Sequence, residues 1–546
     1  MKETVIDMDE VTGRPKRKLS KWELIAIPVI LVCFLGWYYI NYPAINYQNV
    51  PTYIVLIVLL GLIILALCNK TAKRAGSILD HKILKLLFIV EGFLVVFVIV
   101  MQAASAQIFH ARKYASLINI TESEFSEEIK ETDNIKDIAI MDTDTARILG
   151  SRTIGSLADV VSQYEVSDNY STIDYNGKPM KVATLNYADF FKWLNNRSNG
   201  IPGYVMVDPV TNEAEYVSLD TPIKYTPSGR FNDNLYRHLQ FKYPTAMFEG
   251  YYFELDNEGN PYYICPTMKA NAGLFGAKDV KGVVICNPCN GECEYYDVAD
   301  VPNWVDRVYD GELAQQKYDW YGMLSGGYWN SIIGNKGCKV TTDDYGYKVI
   351  DGDVYVYTGV TSVNSDESNV GFVLMNLRTG ESKYFAVSGA EEYSAMSSAE
   401  GQVQNLGYVA SFPSLINISG SATYIMALKD SAGLVKMYAL VNVQNYNIVA
   451  TGKTQNEALK EYRNLLNENN VVEVSDNLPQ KQIVIADIQY IQVDGETIVY
   501  IKDDKGAVYK QAFSENESLI LLNIGDKITV TYLESESGIY PIMEIL

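Results

Sequence analysis

Histidine is the scarcest chemistry-bearing residue in this chain, with 3 among 546 positions, at 81, 110 and 238. A Ser-His-Asp or Cys-His site needs an imidazole base, so such a site falls to His238, with His110 a poor second. His238 sits in Tyr236-Arg237-His238-Leu239-Gln240-Phe241, a setting that suits an ordinary structural histidine. The chain also lacks HExxH, GxSxG, a P-loop and GxGxxG, so no motif signals zinc peptidase, α/β-hydrolase or nucleotide chemistry. No motif calls for a cofactor or a metal. Basic residues are few as well, 45 Lys+Arg against 66 Asp+Glu. The imbalance is uneven: residues 1–110 carry 11 basic and 7 acidic side chains, and the remainder 34 and 59. A surface that acidic repels phosphates, which excludes nucleic acid as a principal partner.

What the chain does have is three long apolar runs near its start: Leu24 to Ile40, Tyr53 to Cys68, and Leu86 to about Ala106. Each approaches the roughly 20 residues that cross a bilayer as a helix. Trp22, Trp37, Tyr38 and Tyr39 flank the first run, where amphipathic rings favour the interface. The lipid bilayer is therefore the first expected partner. A cleaved signal peptide fits poorly, since further apolar runs follow at once, although Ala103-Ala104-Ser105-Ala106 has the small residues of a cleavage site. Arg14, Lys16, Arg17, Lys18 and Lys21 precede the first run, and Lys70, Lys73, Arg74, Lys82 and Lys85 lie around the second loop. The first loop, Asn41 to Pro51, has no basic residue. Positive charge stays inside, so the N-terminus is expected to be cytoplasmic and everything after the third run extracytoplasmic. Arg112 and Lys113 oppose this and are outnumbered. Glu91 falls within the third run; an intramembrane acid is a functional candidate by default, and a position near the cytoplasmic end beside Lys82 or Lys85 is the plainer reading.

The expected organisation is a basic tail (1–21), a three-helix anchor (22–108), a first α+β unit (109–200), tandem α+β modules (201–475) and a small β-barrel (480–546). Residues 111–135 place Glu122, Glu124, Glu127, Glu128 and Glu131 at helical spacing and read as a stalk helix. Ile138 to Met141 reads as a strand, and Tyr187 to Asn195, Val301 to Tyr309, Ala390 to Gln404 and Thr454 to Leu466 as helices. Thr454 and Glu457 form a capping-box pattern. Between the helices one turn pattern recurs: an apolar strand, an Asn or Asp, then an outgoing strand. Its leading positions are Asp208, Asn287, Asn376 and Asn442, and its chemistry is that of hairpins. In the last segment, Ile483 to Val493, Thr497 to Asp503, Ala507 to Phe513, Ser518 to Leu522 and Lys527 to Tyr532 read as five short strands of an OB- or SH3-like barrel.

The strand–Asx turn–strand hairpins with short helices resemble PepSY-type modules, small extracytoplasmic units of bacterial envelope proteins. With Arg197-Ser198-Asn199-Gly200-Ile201-Pro202-Gly203-Tyr204 and Asp300-Val301-Pro302-Asn303-Trp304-Val305-Asp306-Arg307, the wider pattern is similar to a group of uncharacterised bacterial multi-pass membrane proteins, sometimes labelled colicin V production-like. The resemblance implies a cell-envelope protein and carries no functional residue.

Cysteines are the sharpest local feature outside the apolar runs: Cys265, Cys286, Cys289, Cys293 and Cys338. A four-thiolate zinc site, free thiols and a disulfide from Cys289 to Cys293 are the alternatives. The other copies of the turn form without cysteine, which argues against a metal that folds it. Acidic loops such as Asp256 to Asn260 and Asp351 to Asp353 suit plain turns better than Ca²⁺ sites. Tyrosine outnumbers phenylalanine 41 to 17, and its densest group is Tyr318, Trp320, Tyr321, Tyr328 and Trp329. That group is either a binding surface or a Gly-rich loop tucked on a β-rich core. The expected function is a membrane-anchored, non-enzymatic envelope scaffold that binds another envelope protein and can homo-oligomerise. The alternatives are a two-carboxylate hydrolase acting on cell-wall polymers and an accessory subunit of a transport or secretion complex.

Overall fold

The computed structural model describes residues 21–71, 82–132, 135, 138–363, 365–469, 479–493, 496–513, 516–532 and 538–545. The basic tail before residue 21, the stretch with Lys73, Arg74 and His81, Asn364 and the expected turn at Asp494-Gly495 lie outside the described residues. The chain divides into two units, Met1–Tyr462 and Arg463–Leu546.

Three helices open the first unit: Lys21–Asn41, Val50–Thr71 and Lys82–Ala104. Two of them, over Val50–Cys68 and Ile83–Ala104, are long and apolar enough to cross a membrane. The described apolar part of the first, Ile25–Asn41, is shorter, and Pro28 interrupts its hydrogen-bond ladder. At about 1.5 Å per residue it covers roughly 25 Å, short of the roughly 30 Å hydrocarbon core. The expected three spans are thereby corrected to two. The helices share a small core in which Ile64, Leu67 and Leu84 are buried and Ile27 packs alongside.

The ends of these helices are bonded to the sheets that follow. Asn46 Nδ2 donates to the Thr245 carbonyl at 2.7 Å, and Gln48 exchanges two bonds with the backbone of Ala270. Arg237 stacks on Tyr39 at 4.4 Å and donates to its carbonyl. Just past the third helix, Ser105 Oγ accepts the amides of Leu274 and Phe275. The first loop and the exit of the third helix thus meet one and the same body.

That body is built from sheets. Tyr164–Val166, Ser171–Tyr175, Lys178–Tyr187, Ile201–Asp208 and Glu213–Ile223 form the first, and Tyr252–Leu255, Pro261–Ala272, Gly276–Cys286 and Cys293–Asp297 the second. A seven-stranded third sheet centres on Asp353–Ser362 and Ser365–Asn376, and a five-stranded fourth on Ser421–Lys429 and Val435–Asn442. One core runs through the first two sheets around Trp193, Val205, Phe253 and Tyr263. Another joins the third and fourth around Phe372, Phe385, Tyr424 and Val441. Each sheet contains one of the recurring turns, closed in the same way. Asp208 Oδ1 accepts the amide of Val210, Asn287 that of Cys289, Asn376 that of Arg378, and Asn442 that of Asn445. These are Asx turns, in which the side chain replaces a backbone acceptor.

Strands dominate, so the expected α+β class is corrected to a predominantly β fold: 26 strands in five sheets among the described residues. Val301 to Tyr309 shows why. Val305 and Val308 are buried at helical spacing, but the amides of Val308 and Tyr309 bond to the Leu377 carbonyl and hold the segment irregular. Ile138 to Met141 is buried in part but pairs with no strand. The expected stalk is a short helix, Gln107–Ala115, then a strand, Ile120–Glu122, parallel to Ser382–Phe385. Two of its acids are bound: Glu128 pairs with Lys383 at 2.9 Å, and Glu131 accepts the amides of Ser419 and Gly420, while Glu122, Glu124 and Glu127 are exposed. The expected helices near 187–195, 390–404 and 454–466 are present as Phe190–Asn196, Glu392–Gln402 and Gln455–Glu468. Thr454 Oγ1 accepts the Glu457 amide and Glu457 accepts that of Lys453, ahead of the helix Gln455–Glu468.

In the second unit Gln480–Val493, Glu496–Asp503, Val508–Ala512, Ile539–Ile545 and Lys527–Tyr532 pair in that order around a closed ring. Gln480–Val493 joins both neighbours by bending at an irregularity between Ile485 and Asp487. One pairing, Val508–Ala512 with Ile539–Ile545, is parallel. Ser518 to Leu522, expected as a strand, lies mostly in a 3₁₀ turn, Glu517–Leu521.

Candidate functional site

A cavity of about 530 Å³ opens in the first unit. Its walls include Arg147, Lys181, Tyr252, Arg307, Tyr347 and Phe412. Lys181 lies inside the strand Lys178–Tyr187, between buried neighbours. Its ammonium reaches Thr172 Oγ1 at 3.2 Å and Thr143 Oγ1 at 3.4 Å. Burial drives it down to about 8, with Asp142 pulling the other way. Arg307 is clamped between the rings of Tyr252 and Tyr347, at 4.4 and 4.5 Å, and donates to the Tyr347 hydroxyl at 2.8 Å. Its Nε is buried without a partner.

Behind Arg307 stand two acids that the wall conceals. Glu254 Oε2 accepts the amide of Asp306 at 2.8 Å, and Asp306 Oδ2 accepts that of Asp174 at 2.7 Å. Burial raises both carboxyls above the usual range. The acids on the cavity wall itself are mostly engaged. Asp142 pairs with Lys429, Asp310 caps the helix Gly311–Leu324 through the Leu313 amide, and Asp344 accepts from Tyr345 and Tyr393. Glu312 completes the acidic part of the wall. Among the buried groups at this wall, Arg307 Nε and Glu254 Oε1 both lack a partner, and the Lys181 ammonium is held by two hydroxyls.

The aromatic group expected from sequence is divided by the fold. Tyr318, Trp320 and Tyr321 lie on the helix Gly311–Leu324 rather than in a loop. Tyr318 is buried, and Trp320 meets Tyr114 edge-on at 4.9 Å. Tyr328 packs with that cluster, while Trp329 is 64% exposed beside exposed Ile332 and Ile333. Trp320→Ala is expected to lower stability by about 1–3 kcal/mol and Trp329→Ala by less than about 0.5 kcal/mol. Parallel urea titrations check this, and equal losses would contradict the division.

Glu91 lies against the second helix, where a Cβ added at Gly61 would stand 2.9 Å from its Oε1. The cysteines are all free thiols. Cys293 faces Cys286 in register, not Cys289, whose thiol donates to the Thr221 carbonyl at 3.1 Å. The expected Cys289 to Cys293 disulfide thus gives way to a Cys286–Cys293 pair, with sulfurs 3.0 Å apart. Cys265 is buried on the adjoining strand, and Cys338 lies elsewhere, near Met323 and Asn330. His238 joins the pair, its donor atom within 4.8 Å of both sulfurs. Asp256 Oδ1 accepts the amides of Glu258 and Asn260, the geometry of a plain turn.

Sequence reasoning missed Lys181 and Arg307. Lys181 stands between Met180 and Val182-Ala183, whereas Arg307 stands between Asp306 and Val308. For Lys181 a charged residue embedded in a buried strand was the available signal; Arg307, in an irregular segment, offered none. Compared with known proteins, the chain matches no family model and no curated protein.

Proposed function

We propose that this chain is a membrane-anchored, extracytoplasmic binding protein whose cavity takes a small ligand through an anionic group. The observation that carries this reading is the pair of nine-tenths-buried cations, Lys181 and Arg307, on the wall of one cavity. A buried ammonium held only by two hydroxyls gains from a carboxylate or phosphate, and charge-assisted bonds are the strong ones. Tyr252, Tyr347 and Phe412 add apolar wall, in the manner of small-molecule sites. The orientation rests on the basic residues of the loop between the two spans, Lys70, Lys73, Arg74, Lys82 and Lys85. It agrees with the first loop and the third helix's exit meeting the same sheet body.

The test is calorimetric titration of the full-length chain in detergent with acetate, succinate and inorganic phosphate. Binding of at least one, weakened about tenfold or more in Lys181→Met with unchanged circular dichroism, is expected. Affinity is also expected to fall as pH rises through about 8, where Lys181 loses its proton. Failure of all three anions to bind, or equal affinity in Lys181→Met, would overturn the proposal.

A further inference from the structure

A second constellation lies away from the cavity, at the tip of the second sheet. Cys286 ends the strand Gly276–Cys286, and Cys293 opens the strand Cys293–Asp297 directly opposite. The turn between them is rigid: the Asn287 amide bonds to the Glu292 carbonyl at 2.8 Å, and Asn287 Oδ1 accepts from Cys289. His238 comes from a different element, the helix Leu235–Lys242, capped by Asn234. The ring of Tyr225, with its centroid 4.1 Å away, fixes the plane of its imidazole. His238 Nε2 lies 2.7 Å from the Gly291 carbonyl and Cys293 Sγ 3.4 Å from the same oxygen. Gly291 keeps this space open. It has φ +77°, and a Cβ there would fall 2.5 Å from Tyr225 and 3.1 Å from His238 Nε2.

We propose that Cys286, Cys293 and His238 form a binding site for one thiophilic d¹⁰ metal ion, Zn²⁺ in the first instance. Two thiolates and a neutral imidazole are a known zinc donor set, with a fourth position left to water. The ion displaces two thiol protons to solvent, and the two thiolate charges balance its own. Zn–S bonds of about 2.3 Å at tetrahedral angles set the sulfurs about 3.7 Å apart, so a small opening of the hairpin suffices. A disulfide would need them to close to about 2.05 Å instead. The imidazole favours the metal: once released from the Gly291 carbonyl it supplies a third donor within 4.8 Å of both sulfurs, for which a disulfide has no use. Cys338 has no part in this site, and Cys289 is committed to Thr221.

The experiment uses the full-length chain in detergent, reduced and stripped of metal with a chelator under anaerobic conditions. Titration with Co²⁺ should produce a thiolate-to-metal charge-transfer band that saturates at one ion per chain and is bleached by Zn²⁺. His238→Gln and Cys293→Ser should each weaken Zn²⁺ binding by roughly 100-fold or more, while Cys338→Ser leaves it unchanged. If Cys293→Ser does not fold, His238→Gln, at a half-buried helical position, decides the matter alone. No charge-transfer band, or full affinity in His238→Gln, would overturn the proposal. So would protein from intact cells in which Cys286 and Cys293 are disulfide-linked and whose reduced form takes up no Co²⁺.

Discussion

Arg307→Ala is expected to destabilise the first unit by about 3–5 kcal/mol at neutral pH, the range for removing one member of a buried charged pair. The side chain is buried against Tyr252 and Tyr347, and its charge lowers the cost of ionising Glu254 behind it. Without it, Glu254 remains buried with no counter-charge, and neutralisation by protonation becomes its escape. The loss should therefore be smaller at pH 5 than at pH 8. Urea titrations at both values measure this, and Glu254→Gln in the Arg307→Ala background should recover part of the difference. A loss below about 1 kcal/mol, or one that is the same at both pH values, would show that the guanidinium only packs.

Glu392→Gln should flatten the dependence of stability on pH. Glu392 is buried at the start of the helix Glu392–Gln402. Its Oε1 accepts the Gly359 amide at 2.8 Å, and its Oε2 has no partner. Burial pushes its carboxyl up to about 7, from 4.5. The folded state therefore binds the proton more tightly than the unfolded chain. The stability this provides is complete below about 4.5 and is lost as pH rises through about 7. A rise of that size corresponds to roughly 3 kcal/mol across the window. Gln keeps the acceptor for Gly359 and has no proton to lose. The difference in unfolding free energy between pH 5 and pH 8 should accordingly shrink by about that amount. Glu254 and Asp306, also raised by burial, leave a residual slope of the same sign. An unchanged difference would mean that Glu392 is solvated at neutral pH.

What could be read from the residues depended on how local the cause was. The four Asx turns were legible because Asp208, Asn287, Asn376 and Asn442 bond to amides two or three residues away. The Thr454–Glu457 cap was legible for the same reason. Val301 to Tyr309 was misread because Val305 and Val308 imitate a helical face, while the decisive bonds run to Leu377, about 70 residues on. The acids of 122–131 imitate one helical face in the same way, and only distant partners, Lys383 and the 419–420 turn, reveal Glu128 and Glu131 as structural. The candidate cavity was invisible, because Lys181, Tyr252 and Tyr347 come together only when three sheets are assembled. Cys286 and Cys293 were legible as a pair of candidates, but the register that faces them and the helix that brings His238 were not.

The bonds between the first loop and the sheets set an order of events during synthesis. Gln48 bonds to Ala270 across 222 residues of chain, and Ser105 to Phe275 across 170. The loop leaves the ribosome long before the strands that complete it, and its polar groups must wait in water. Contacts so distant in sequence close late, so the helices are formed before the second sheet is finished on them. A secreted fragment starting after residue 108 would fold with the amides of Leu274 and Phe275 deprived of Ser105, and with Ala270 unpaired from Gln48. For this chain the N-terminal helices are part of the folding template, and the sheet body is best produced with them attached.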